Sequence, residues 1–439
     1  MIWSKMMKIL ILSFGIFGSF QLKAQTKLSM FDALALAEKN NLSLKIDEQN
    51  LSSVKREAQQ SRALFLPQIN LSHTAIGTTN PLMAFGSKLN QEILTQEDFN
   101  PALLNDPEYI RDYSTKISVQ QPIFNFDGIY QRKAAQQNIE YHTQQNTFKK
   151  GHVLLEVKKA YMQLQVALKQ VEVLKKAKQT ADANLRFAEN NLKQGYLQKS
   201  DFLDVEVRVQ DVDNQLQMSK SFVANATNYL RFLLQLPKNQ TLTLTDALQP
   251  KVNKNPTQIL LPETRSDLLA MESALKAQSH LLNASKFNYL PRLNAFGHLE
   301  LHDDKIFGTQ AKGYLIGAQI SWDLFQGGKQ WSNVQKNKVE VAKMELTISE
   351  YKAQSKMELE QTKRALNDAK NTLELTEKSV KQSQEALKIR TNRFKQGLEK
   401  TTDLLMAETQ YAKKQLEYLQ AVFNYNFTYE YLAFLTKAK

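Results

Sequence analysis

The sequence predicts a mainly α protein with membrane β-strands. It reads as two tandem repeats, each a long coiled-coil helical hairpin plus two short strands. Three observations carry this. Apolar heptads run along each copy and survive a single shift of 202 residues. Four segments of about ten residues switch to a period of two. Only 14 Gly and 10 Pro occur in 439 residues, too few to punctuate a chain of short elements.

The chain opens with Lys5 and Lys8, an apolar run from Ile9 to Phe20, and the small residue Ala24. This predicts a secretory signal peptide over residues 1–24; the run is too short for a spanning helix. An uncleaved anchor is the alternative. No other stretch reaches 18 apolar residues, so any membrane crossing falls to strands. Cysteine is absent, which excludes disulfides, thiol nucleophiles and Cys-based metal sites. The net charge of +13 is spread along the helical segments. It forms no focused stripe, and export argues against nucleic acid as a partner.

The first repeat is expected over residues 25–236, with strands at about 67–77 and 113–124. Ile69, Leu71 and Ala75 alternate with Gln68, Asn70, Ser72 and Thr74. Tyr113, Ile117, Val119 and Ile123 alternate with Lys116, Ser118 and Gln120. Between these strands, Pro81 to Tyr109 holds an insertion that the second copy lacks. Pro81, Pro101 and Pro107 with Glu97, Asp98, Asp106 and Glu108 predict an exposed irregular loop, either idle or a lid. A long helix follows from Ile129 to Gln194, interrupted at Gly151. Val157, Leu164, Val171, Leu185 and Leu192 share one heptad register. After Gly195 a second helix carries Phe202, Val209, Leu216, Val223 and Leu230.

Residues 237–262 read as a linker, marked by Pro237, Pro250, Pro256 and Pro262, with a short strand at Thr241–Leu244. The second repeat, 263–439, has strands at about 291–303 and 313–325. Leu293, Ala295, Gly297, Leu299 and Leu301 oppose Asn294, His298, Glu300 and His302. Tyr314, Ile316, Ala318, Ile320, Trp322 and Leu324 oppose Gln319, Ser321 and Asp323. Lys329 to Gln396 contains neither Gly nor Pro, a helix of ~100 Å at 1.5 Å per residue. Leu359, Leu366, Leu373, Leu387 and Phe394 match the first copy, as do Leu404, Tyr411, Tyr418, Tyr425 and Leu432. The tip Asn191-Leu192-Lys193-Gln194-Gly195 recurs as Arg393-Phe394-Lys395-Gln396-Gly397, and Asp201 as Asp403.

Four strands cannot close a membrane barrel, which needs ~8 or more. Several copies must therefore share one: a dimer gives 8 strands and a trimer 12, and only the larger count leaves an open lumen. No HExxH pair, phosphate loop or nucleophile elbow is present. His298, Glu300 and His302 share one strand face; polar lining is the plainer reading beside metal binding.

The order of helix, Leu66-Pro67-Gln68 strand, loop, strand, Ile123-Phe124 and hairpin, repeated from Leu290-Pro291-Arg292, resembles the TolC-like outer membrane efflux proteins. The run Trp322-Asp323-Leu324-Phe325-Gln326-Gly327-Gly328 and the turn from Gly397 to Asp403 are similar too. The resemblance covers about residues 28–435. It implies a homotrimer whose 12-stranded β-barrel lies in outer-membrane lipid and continues as a periplasmic α-helical barrel. It implies a channel rather than an enzyme, with no cofactor. Such a channel is the exit duct of a tripartite efflux or type I secretion system, with a periplasmic adaptor and an inner-membrane transporter as partners. The linker would join a belt around the helices.

At the hairpin tips the resemblance implies a gate of carboxylates one helical turn apart. Asp403 fits it, but Met406 stands where the second carboxylate is expected. The first copy keeps both, as Asp201 and Asp204. Glu399 stands where the family carries a cation. Threefold symmetry would bring like carboxylates together on a narrow axis, favouring cations. The resemblance also places adaptor contacts near Arg186, Lys193, Gly195, Arg393, Lys395 and Gly397. The reading from another class, a periplasmic coiled-coil adaptor or structural protein, would show one hairpin flanked by small β domains rather than two.

Overall fold

The computed structural model describes residues 25–237, 241–251 and 260–437. The expected signal peptide and parts of the linker, Pro256 among them, lie outside the described residues. In chain order the elements are β1 (Gln25–Leu28), α1 (Met30–Asn40), α2 (Leu42–Gln60), β2 (Gln68–Thr78), α3 (Pro81–Asn90), α4 (Pro101–Asn105) and β3 (Ile110–Phe124). Then come α5 (Phe126–Lys193), α6 (Lys199–Leu234), β4 (Thr241–Leu244), α7 (Ser266–Phe287), β5 (Arg292–Asp303), β6 (Ala311–Ser321), α8 (Lys329–Lys395) and α9 (Thr401–Leu435). No described helix is long and apolar enough to cross a membrane. The chain falls into two compact units, one holding the four-stranded sheet and one holding both hairpin tips.

In the sheet unit the order is β2-β3-β5-β6, antiparallel throughout. The register runs Ile69↔Val119↔Gly297↔Ile316 and Leu71↔Ile117↔Leu299↔Tyr314. A period of two therefore puts these side chains on one face. Ile69, Leu71, Ile117, Val119, Leu299, Tyr314 and Ile316 are all exposed on it. The other face carries Lys116 paired with Glu300 at 2.5 Å. His302 Nδ1 there lies 3.1 Å from Asp112 Oδ1. The outer edges of β2 and β6 are unpaired among the described residues.

Two expectations for this unit are corrected. The last strand stops at Ser321, not near 325. Ser321 pairs with Arg292, the first residue of β5; before it stands Pro291, which has no N–H to extend the ladder. Trp322 instead donates its indole N–H to the Tyr289 carbonyl at 2.9 Å. The insertion after β2 is also not irregular. Asn80 caps α3 and Asn100 caps α4, each followed by Pro in the first turn, where proline's missing N–H costs nothing. Lys88 pairs with Asp98 at 2.7 Å. That hydrogen bond, with those from Thr95, holds the Asp98 carboxyl down at about 2. Gln91 is buried and donates to the Arg111 carbonyl at 2.7 Å, tying the insertion to β3.

In the helical unit, β1 pairs in parallel with β4, from Gln25↔Thr241 to Leu28↔Leu244. Ser29 and Asp32 form a capping box that starts α1. One core gathers Leu28, Ala33, Ala37, Val157, Tyr161, Leu164 and Leu230 from β1, α1, α5 and α6. The other gathers Leu359, Leu366, Leu373, Tyr425 and Leu432 from α8 and α9. Val157, Leu164 and Leu230 are the 202-residue counterparts of Leu359, Leu366 and Leu432. A polar contact repeats as well. Tyr229 donates to Glu156 Oε1 at 2.5 Å, and its counterpart Tyr431 donates to Glu358 Oε1.

The apolar heptads describe only half of the first seam. Ala160, Ala167, Leu174, Ala181 and Ala188 form a second row at seven-residue spacing, and all are buried. Gly151 does not interrupt α5. A Cβ there would stand 3.1 Å from the Phe434 ring, so glycine admits α9 at close range.

Candidate functional site

Each hairpin tip is a six-residue-to-one helix cap built on a glycine. In the first, Tyr196 N–H donates to the Asn191 carbonyl at 2.9 Å and Gly195 N–H to Leu192 at 3.0 Å. In the second, Leu398 N–H donates to Arg393 at 2.9 Å and Gly397 N–H to Phe394 at 3.0 Å. Gly195 has φ +77° and Gly397 φ +72°, the left-handed region that a Cβ disfavours. Both turns leave one large side chain in the open: Tyr196 is 81% exposed and Leu398 63%.

The charges around these matching turns differ. In the second, Glu399 accepts from Arg390 Nη1 at 2.7 Å and from Arg393 Nε at 2.8 Å. Arg393 Nη2 also donates to the Leu398 carbonyl at 3.3 Å. The Glu399 side chain is only 10% exposed. Asp403 stands in the first turn of α9, half-exposed, with its carboxylate 3.9 Å from Arg390. The corresponding residues of the first tip are Ala188, Asn191, Leu197 and Asp201. Only the last is charged. Asp201 is half-buried and Asp204 exposed, at the start of α6.

The structure therefore gathers two of the four carboxylates singled out in the sequence, Glu399 and Asp403, around Arg390. Glu399 stands where the resemblance places a cation, and Arg390, one turn before Arg393, supplies that charge from α8. A position-by-position comparison with Ala188 would have found it.

Among the residues considered for partner contact, Arg186 is exposed and Lys193 pairs with Glu189 at 2.9 Å. Lys395 lines a groove of about 800 Å³ with Lys176, Phe187 and Phe394. The two phenylalanines, one from each copy, have ring centroids 5.5 Å apart.

Further into the unit, Glu408 on α9 is buried, and Asn184 of α5 donates its side-chain amide to Glu408 Oε1. Burial pushes its carboxyl up to about 7, against the pull of Arg208 and of the Asn184 hydrogen bond. Its row shows only in the structure, where Thr401, seven residues earlier on the same helix, is buried too. Among the described residues no group of three or more His, Asp and Glu side chains is arranged to hold a metal ion. His298, Glu300 and His302 are instead engaged with one another, Lys116 and Asp112.

Comparison with known proteins gives a consistent result. The family model described as outer membrane efflux protein matches residues 33–235 and 260–436. No curated protein matches the chain in sequence. Among solved structures, the Campylobacter jejuni CmeC outer membrane channel is similar with a TM-score of 0.80 at 15% identity, over 95% of this chain and 90% of that one. A membrane protein from Pseudomonas aeruginosa gives a TM-score of 0.79 at 15% identity, over 93% of both chains. The open state of the Neisseria gonorrhoeae MtrE outer membrane channel gives a TM-score of 0.74 at 17% identity, over 93% and 88%.

Proposed function

The chain belongs to the outer membrane efflux protein family, and from that membership we propose that it is the outer-membrane exit duct of a tripartite efflux or type I secretion system. One observation carries the reading. A four-stranded antiparallel sheet presents apolar side chains outward on one face and leaves both edges unpaired, in a chain with no spanning helix among the described residues. In lipid each unpaired backbone group costs several kcal/mol. The edges must therefore be met by other copies, and three copies give the 12 strands of an open barrel. The protein so assembled sits in the outer membrane with its helices in the periplasm, after removal of residues 1–24.

In this reading residues 25–236 and 263–439 are the two repeats, joined by the 237–262 linker. The hairpin tips are the periplasmic entrance. Asp403 faces the narrowed axis as its gate residue, held back by Arg390. Asp201 and Asp204 line the same entrance from the first copy, and Glu399 braces the turn. A periplasmic adaptor, coupled to an inner-membrane transporter, docks around Arg186, Lys193, Gly195, Arg393, Lys395 and Gly397. The transporter chooses between small molecules and polypeptides as cargo.

The native mass of the protein extracted from the outer-membrane fraction tests this directly. Three mature chains are expected; a soluble monomer in the periplasmic fraction would sink the duct. For the gate, Asp403→Ala is expected to raise single-channel conductance severalfold. Unchanged conductance would remove Asp403 from the constriction.

A further inference from the structure

Glu408 is a carboxyl group that neither hairpin turn uses. It is 7% exposed and lies on the second hairpin, while its hydrogen-bond donor, Asn184, lies on the first. One side-chain contact thus ties the two tandem copies together near their tips. The charge facing it from α6 is Arg208, which acts on Glu408 through space; its own Nε is buried with no hydrogen-bond partner. Asp211 acts on Arg208 in turn. From α5 it meets the uncharged Asn184, and among the described residues no charge on α8 or α9 contributes. The 202-residue counterparts of Glu408 and Asn184 are Glu206 and Ala386. The first copy's carboxylate therefore has no matching amide opposite, and the contact is made once per chain.

An ionised carboxylate in this place is poorly served. It keeps one amide hydrogen bond and loses its hydration, with the nearest cation not bonded to it. The neutral acid pays little for the same burial and still accepts from Asn184. We propose that Glu408 is a proton-controlled latch between the two hairpins: protonated, it holds α5 to α9 near the tips, and ionised, it lets them part. The sign follows from linkage. The packed arrangement binds the proton more tightly than an exposed carboxyl does. Its advantage is therefore complete below about 4.5 and is lost as pH rises through about 7. Acid closes the tips and neutral to mildly alkaline pH loosens them. The consequence for transport rests on the entrance reading of the tips; the latch itself does not.

The chain has no cysteine, so two introduced ones are unique labelling sites. Arg186→Cys on α5 and Met406→Cys on α9, both exposed, carry spin labels in the full chain extracted in detergent. Labelled chains are diluted with unlabelled ones, so that only distances within one chain are read. At about pH 5.5 a single short distance is expected, and at about pH 8.5 a longer, broader distribution, with a midpoint near 7. Glu408→Gln keeps the shape without the titration, and should hold the short distance at both pH values. Arg208→Gln removes the cation that favours ionisation and should move the midpoint to higher pH. A distance independent of pH in the parent protein, or an unaltered pH response in Glu408→Gln, overturns the latch. Conductance of the reconstituted protein separates the two readings. A distance that switches in a protein that conducts nothing leaves the latch standing and removes the duct. A protein that conducts, with a fixed distance, does the reverse.

Discussion

The two hairpin tips share a backbone and differ in chemistry. Both close with a glycine near φ +75°, the same pair of capping hydrogen bonds and one exposed side chain at the turn. Yet Ala188, Asn191 and Leu197 surround the first, whereas Arg390, Arg393 and Glu399 clamp the second. Packing explains part of this. Ala188 ends the buried alanine row of α5, where no large side chain fits. Arg390 is half-exposed on the second hairpin, so that position is free to carry charge. Backbone closure and electrostatic closure are thus separable, and only one copy uses the second.

The largest effect should come from forcing the copies to match. Ala188→Arg places a guanidinium in a filled seam and should destabilise the first hairpin by about 3 kcal/mol or more. The reverse change, Arg390→Ala, should cost about 1 kcal/mol, read as local opening by hydrogen exchange across residues 390–403. Equal costs would mean that the two tips are packed alike after all. Next comes the clamp itself. Glu399→Leu installs the first copy's residue and leaves two arginines without their shared carboxylate. It should loosen the second turn by about 2 kcal/mol. The effect should largely vanish in an Arg390→Ala, Arg393→Ala background. If the double and triple variants still differ by the full amount, the clamp is not the source.

The tips also show where sequence patterns stop being informative. The repeat, the strands and the glycine turns were legible because each rests on a period or on a residue with one conformational use. Ala160 to Ala188 escaped notice because alanine contributes little to an apolar pattern, although its row packs as tightly as the leucine row. The insertion's prolines were read as breakers. Preceded by Asn80 and Asn100, they start helices instead. Alternation continues through Trp322, but β6 ends where Pro291 gives it no partner. Glu399 is visible as an oddity, and its meaning lies in Arg390, which reaches it from the last turns of α8 across the glycine turn. Glu408 needed the structure outright, since nothing in the sequence puts Asn184 against it.

Two smaller tests ask whether what the copies share has equal worth in each. Gly195→Ala and Gly397→Ala both force a Cβ into the left-handed region, where nothing else crowds it. Each should cost about 1 kcal/mol, by the same amount at the two turns. A larger loss at Gly397 would show that the arginine clamp depends on the turn's geometry, and would tie the two forms of closure together.

The finest comparison lies away from the tips, in the repeated tyrosine. Tyr229 donates to Glu156, and Tyr431 to Glu358, at matching places in the two hairpins. The carboxylate beside Tyr229, together with partial burial, pushes its hydroxyl up to about 12. Tyr431 also stands in a row of rings with Phe427 and Phe434. Substitution by Phe keeps each ring and deletes only the donor, so Tyr229→Phe and Tyr431→Phe should each cost about 1 kcal/mol. Native-state exchange in the helix pairs around these tyrosines measures both. Equal losses would mean that the pair is a structural constant of the repeat, indifferent to the chemistry that separates the tips. A greater loss at Tyr431 would mean that the aromatic row shares the strain of its missing hydroxyl, and that the second hairpin is the more tightly coupled of the two along its length.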